Sequence, residues 1–390
     1  MRPLRIAAAL ALSASISVAP ALAPAGYAAT AWQQASAQVA TAPIDPEALR
    51  ARIAELMPTT ESPRKAALDR LMDHPQHIDG SQYQCGPTQF NRWAAQATAD
   101  FTAQDRQILD SLAAYDLPTY EALVFGAQGH PDFALRADAK DLEKTMRKLR
   151  SFWDIKHDDI QLMAMHGEML ADPARTARVY EVVYEVPRAQ AQELARLLAE
   201  FIRSDPKFEG GNHPIFTLNA FAFTTHGQEL PGLGRIGDRI VMGDGILQAY
   251  RELGYGDVAP EAILAHEYAH HVQFEIGMIP PNRISTPEGT RRTELHADAS
   301  AAYFLSHPRG LSMQQKRVTQ FLTVFYTIGD CSFASTGHHG TPLQRERAAN
   351  WAYQVQEQAR PKGKILTTRQ FFELFEAELP RLIAPDARVA

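Results

Sequence analysis

From Pro260 to Gly277 the chain reads PEAILAHEYAHHVQFEIG, and this stretch demands a helix. Ile263, Leu264, Val272, Phe274 and Ile276 supply apolar positions, Pro260 suits a first turn and Gly277 a C-terminal stop. Residues four apart on a helix lie on one face, about one turn apart. His266 and His270 can therefore turn their imidazoles toward one point. Neutral imidazole is a good zinc ligand, and two of them leave an open catalytic site one protein donor short. Glu267, beside the first histidine, can reach a water at such a site as general base.

The next helical stretch, Thr290–Ser306 (TRRTELHADASAAYFLS), offers that donor. Glu294 and Asp298 are four apart and share a face. The economical assignment makes Glu294 the third ligand. Asp298 then accepts the second ring N–H of a ligand histidine and fixes its tautomer. His296, turned by about 200° from Glu294, should point away, although it and Asp298 remain alternative donors. His271, turned by about 100° from His270, is expected at the surface or supporting the ligands.

HEYAHHVQ followed by ELHADASAAY resembles the gluzincin zinc peptidases, whose pattern is HExxH and then Glu-x-x-Ala-Asp on the next helix. The nearest likeness is to the bacterial neutral zinc metallopeptidase family. The zinc cores of the CAAX-processing and heat-shock-induced membrane proteases are also similar. Ser335–Arg345 (STGHHGTPLQR) resembles that family's Thr-His-Gly-Thr/Ser-x-x-Gln-Arg element, with His339, Gly340, Thr341, Gln344 and Arg345 on the pattern. Gly337-His338 stands where the family has Thr, which leaves His338 open beside His339. Asn219–Phe223 (NAFAF) is similar to the strand beside the gluzincin active site, and Asp238–Gly245 to the strand that follows it. The resemblance covers roughly residues 175–355.

The resemblance implies peptide-bond hydrolysis by a metallopeptidase, endopeptidase as the first reading with exopeptidase left open, and one zinc per chain held by His266, His270 and Glu294. Glu267 would take the proton of the zinc-activated water. His339 would donate to the carbonyl oxygen as charge develops, with Arg345 orienting it or the substrate. An extended peptide could add as a strand along Asn219, Ala220 and Phe221. A second class stays open: a latent or non-catalytic protease-like domain that binds zinc, a peptide or a partner without turnover.

The first residues have the form of an export signal. Arg2 and Arg5 precede an apolar run, Ile6–Val18, and small residues follow, so residues 1–28 are expected to be removed and 29–43 to form a flexible leader. The expected location is a periplasm or beyond. No later segment approaches the roughly 20 apolar residues of a membrane span. The formal net charge is −6 with no basic run, which argues against nucleic acid and leaves a peptide or protein as partner. In an oxidising compartment the two cysteines, Cys85 and Cys331, suggest one disulfide. An alternative is that QCGP at Cys85 resembles a propeptide switch whose thiolate blocks the zinc.

The pattern of elements is α+β and mostly helical: a zincin-like core at 175–390 with a small sheet beside the HExxH helix, after a helical region at 44–174. Helices are predicted from Pro46, from Pro63, across Thr88–Asp116, and at Asp138–Phe152, Arg188–Ser204, Leu311–Tyr326 and Thr368–Ile383. Ala177–Val186 alternates well enough for a strand, to be followed by the NAFAF and RIVMG strands.

Overall fold

The computed structural model describes residues 45–72, 82–280, 286–332, 338–359 and 363–386. The proposed signal and leader lie outside these residues. Local chemistry sets most helix starts. Asp45 caps α1 (Pro46–Leu56), and Pro63 opens α2 (Pro63–Met72). Thr88 and Thr102 close capping boxes on α3 (Gln89–Ala97) and α4 (Ala103–Ser111). Helices α5 (Leu117–Phe125) and α6 (Ala139–Phe152) complete the N-terminal region before a short strand, β1 (Gln161–Met165).

The segment expected as a strand, Ala177–Val186, is instead the end of a helix, α7 (Pro173–Val182), and the turn after it. Asp172 caps this helix through the backbone N–H groups of Ala174 and Arg175, and Pro173 pre-sets its first turn. Thr176, Val179, Tyr180 and Val183 are buried, a three- and four-residue spacing that a strand would split between two faces. The density of Val and Tyr imitated a strand; the cap and the period decide for a helix.

After α8 (Arg188–Ser204) the chain forms β2 (Ala220–Phe223), a two-residue hairpin pair β3 (Glu229–Leu230) and β4 (Gly234–Arg235), and β5 (Arg239–Gly243). The main sheet has the order β1-β5-β2. β5 runs parallel to β1 and antiparallel to β2, with Ala220 opposite Met242 and Phe223 opposite Arg239. Every residue of β5 is buried, as a central strand requires, and β2 forms one edge.

The remaining helices are α9 (Asp244–Glu252), α10 (Ala259–Glu275), α11 (Pro287–Ser306), α12 (Gln315–Thr327), α13 (Pro342–Ala359) and α14 (Thr368–Leu382). α12 starts later than the Leu311 expected, because Ser312 adopts a left-handed φ of 54°. α10 packs on the sheet, on α6 and on α11, and α11 packs in turn on α13. Ala297, Ala301 and Ala302 of α11 and Ala348, Ala349 and Ala352 of α13 are buried small residues that permit this close approach.

Two large apolar clusters result, beside a small one of Ala122, Phe133, Met163, Met165 and Val241. One joins Phe90, Leu149 and Trp153 to Ile240 of β5, Leu264 and Tyr268 of α10, and the helices α11 to α14. The other joins α1, α4, α5, α7 and α8 around Leu112, Tyr120, Tyr180 and Leu198. Residues from both sides of position 175 enter each cluster. Among the described residues no helix is long and apolar enough to cross a membrane.

Candidate metal centre

The α10–α11 pairing brings His266, His270 and Glu294 together. One ligand atom from each lies within 4.8 Å of the others. The two Nε2 atoms are 3.2 Å apart, His266 Nε2 is 3.2 Å from Glu294 Oε2, and His270 Nε2 is 3.5 Å from Glu294 Oε1. His266 and Glu294 are buried and His270 is nearly so. Two imidazoles and one carboxylate at this spacing make a group that could bind a metal ion.

The other ring nitrogens support that use. His266 donates from Nδ1 to Asp298 Oδ1 at 2.9 Å, and His270 donates from Nδ1 to Gln273 Oε1 at 2.9 Å. Each hydrogen bond turns Nε2 toward the cluster, the orientation a ligand histidine needs. Asp298 is itself clamped. Arg345 of α13 donates from Nε and Nη2 to its two oxygens, each at 2.7 Å. Both side chains are at most 2 % exposed. Arg345, expected to orient His339 or the substrate, thus orients Asp298 and through it His266. His296 and Asp298, the alternative donors, lie outside the converging group.

Burial works against charge on His266, yet hydrogen bonds to Asp298 and Glu294 hold its pKa up, at about 10. Burial pushes His270 down to about 4. Burial also pushes Glu267 up to about 7, against the opposing charge of His266. Glu294 is held well below the usual carboxylate range: burial raises it, but His270 and His266 outweigh that. The site therefore holds one carboxylate, Glu294, that keeps its charge and a neighbouring one, Glu267, poised to exchange a proton.

His338 and His339 approach on the loop that enters α13, and both hold Asp330. His338 donates from Nδ1 to Asp330 Oδ1 at 2.7 Å, and His339 from Nδ1 to Oδ2 at 3.0 Å. His338 is buried outright, whereas the His339 side chain keeps 21 % exposure, so His339 is the one a ligand can reach. Burial opposes its protonation, but Asp330 and the charge of Glu294 hold its pKa above the usual value. Gly340, with φ of 96°, takes a left-handed turn that other residues resist, and Thr341 then caps α13 reciprocally with Gln344. Residues 335–337 of the Ser335–Arg345 element lie outside the described residues.

Cys85 and Cys331 form a disulfide, with Cα atoms 5.7 Å apart across 246 residues of sequence. It pins the segment before α3 beside Asp330. The switch reading of Cys85 is overturned, because its sulfur is bonded to Cys331 and no free cysteine exists. His271 also departs from expectation. It is 1 % exposed and donates from Nε2 to the Arg239 carbonyl at 3.0 Å, tying α10 to β5.

β2 lies against α10, and Ala220, Phe221 and Ala222 keep partial exposure along the sheet edge. Asn219, just before it, accepts from the Gly243 N–H at 3.0 Å. Asp330 and Gln273 join the site without having been candidates from the sequence. Asp330 sits eight and nine residues before its histidines, with no local signal. Gln273 had one, since it lies three residues after His270 on the same face. No protein-family profile, curated protein or solved structure matches the chain.

Proposed function

We propose that this chain is a zinc-dependent peptidase of the gluzincin type, exported from the cytoplasm and acting on peptides or proteins. One observation carries the reading: two imidazoles and a carboxylate converge, each ring fixed by an acceptor, with Glu267 on the same helix. The donor set fits one zinc, which when bound supplies Lewis acidity to a water and a substrate carbonyl. The zincin-like core and the likeness to the bacterial neutral zinc metallopeptidase family belong to this proposal. The export signal does too, and the disulfide is consistent with it.

The chain's own residues divide the work. Glu267 takes the proton of the attacking water and returns it to the leaving amine. His339, charged through Asp330, donates from Nε2 to the carbonyl oxygen as negative charge builds there. At the β2 edge Ala220 offers backbone groups to an extended peptide, flanked by Phe221 and by Asn219, whose carbonyl is taken by Gly243.

Hydrolysis of a mixed peptide library, and its loss on chelation, tests the proposal as a whole. His339→Ala tests the donor. It should retain zinc and lower kcat by about 10²-fold, the usual cost of one such donor. His339 has a raised pKa, so its proton is present at low pH and lost as pH rises through that value. The alkaline limb of kcat should flatten in the variant. An unchanged kcat and limb would remove His339 from the mechanism.

A further inference from the structure

His296 lies inside the Glu-x-x-Ala-Asp stretch, two residues after Glu294, and the converging group of His266, His270 and Glu294 leaves it unused. It is 1 % exposed, among Phe371, Phe372 and Phe375 of α14, with ring centroids 6.0, 5.9 and 5.0 Å away. Its Nδ1 lies 3.1 Å from Nε2 of Gln273. The Gln273 amide is itself fully buried, and its Nε2 also donates to the Thr293 carbonyl at 2.6 Å.

An amide nitrogen has two hydrogens, and both are now assigned. A flipped amide would set its oxygen against the Thr293 oxygen, which can only accept, so the Thr293 carbonyl fixes the amide's orientation and His296 Nδ1 is the acceptor. The unflipped amide must turn Oε1 toward His270 and accept its Nδ1–H. His270 is then left with its Nε2 lone pair facing His266 and Glu294. Thr293 is the residue before Glu294, so the same amide also ties the backbone of the third ligand to α10.

We propose that Gln273 and His296 form a positioning relay. His296 reads the amide's N–H side, the amide reads His270, and together they fix the tautomer and aim of the second metal ligand. His266 has a separate clamp in Asp298 and Arg345. The relay rests on the metal reading and not on peptidase activity, so its test is zinc binding.

Zinc affinity of the full chain would be measured by competition with a chromophoric chelator, beside the thermal melt of the metal-free protein. Gln273→Met should weaken zinc by about 10- to 100-fold, the usual effect of losing a partner of a metal-bound histidine. His296→Phe fits the aromatic surroundings and removes only the acceptor. It should weaken zinc about tenfold with an unchanged melt. His296→Asn, which restores an acceptor near the Nδ1 position, should recover most of the loss. Long-range nitrogen NMR of the zinc-loaded chain should show His270 protonated at Nδ1. Zinc affinities within twofold of wild type in Gln273→Met and His296→Phe would overturn the relay. Equal losses in His296→Phe and His296→Asn would overturn the part assigned to His296. A wild-type chain that binds no zinc would sink the metal reading and the relay with it.

Discussion

Glu267→Gln is expected to keep one zinc per chain and to lose peptide hydrolysis by roughly 10²- to 10⁴-fold, the usual contribution of a positioned acid–base group. Gln has the same shape and can still hydrogen-bond, but it cannot accept the water's proton. Glu267 is not among the converging donors, so metal content should not change. Stability should hold or rise. Burial pushes the Glu267 carboxyl up to about 7, so its charge costs the fold something near neutral pH, and the neutral amide removes that cost. Zinc analysis, steady-state kinetics and a thermal melt on one preparation check all three. Turnover at the wild-type rate would sink the assigned mechanism.

Arg345→Met should have the largest effect on the fold. Arg345 and Asp298 are at most 2 % exposed and joined by two hydrogen bonds of 2.7 Å. Removing one partner of such a pair typically costs about 3–5 kcal/mol, because a buried charge is left uncompensated. Asp298 would then face His266 without its clamp, and zinc affinity should fall by about 10- to 100-fold. Adding Asp298→Leu separates the two roles. The double variant should recover part of the stability, since Asp298 is no longer left uncompensated although Glu294 still lacks Arg345 at 3.6 Å, yet should not recover zinc affinity. Denaturant melts beside zinc competition would show this. Recovery of zinc affinity in the double variant would mean that the pair does not orient His266, and stability that stays lost would mean that an uncompensated Asp298 is not what destabilises Arg345→Met.

Helices were readable where period and punctuation agreed. Arg188–Ser204 matches to the residue, and α14 ends one residue before the Ile383 expected. The converging group was readable because His266 and His270 sit at helical spacing and Glu294 lies on the next helix. Its supports were less so. Asp298 could be placed from Glu294, but its fork to Arg345 depends on how α13 packs on α11, which no local pattern records. β1 escaped notice because QLMAM is a short apolar run, buried beside β5, with no alternation to distinguish strand from helix. α7 was misread because side-chain type outweighed the Asp172-Pro173 start. His271 is expected at the surface or supporting the ligands when its angle is taken from the ligand face alone. A helix packed on a sheet as well as on α11 has more than one buried side.

The measurement closest to the central claim is zinc content paired with peptide hydrolysis on the purified chain, before and after chelation. The account predicts one zinc per chain, with hydrolysis lost on chelation and restored by one equivalent of zinc. A chain that carries its zinc and cleaves nothing in a broad peptide library, or cleaves equally well after the metal is stripped, would contradict it.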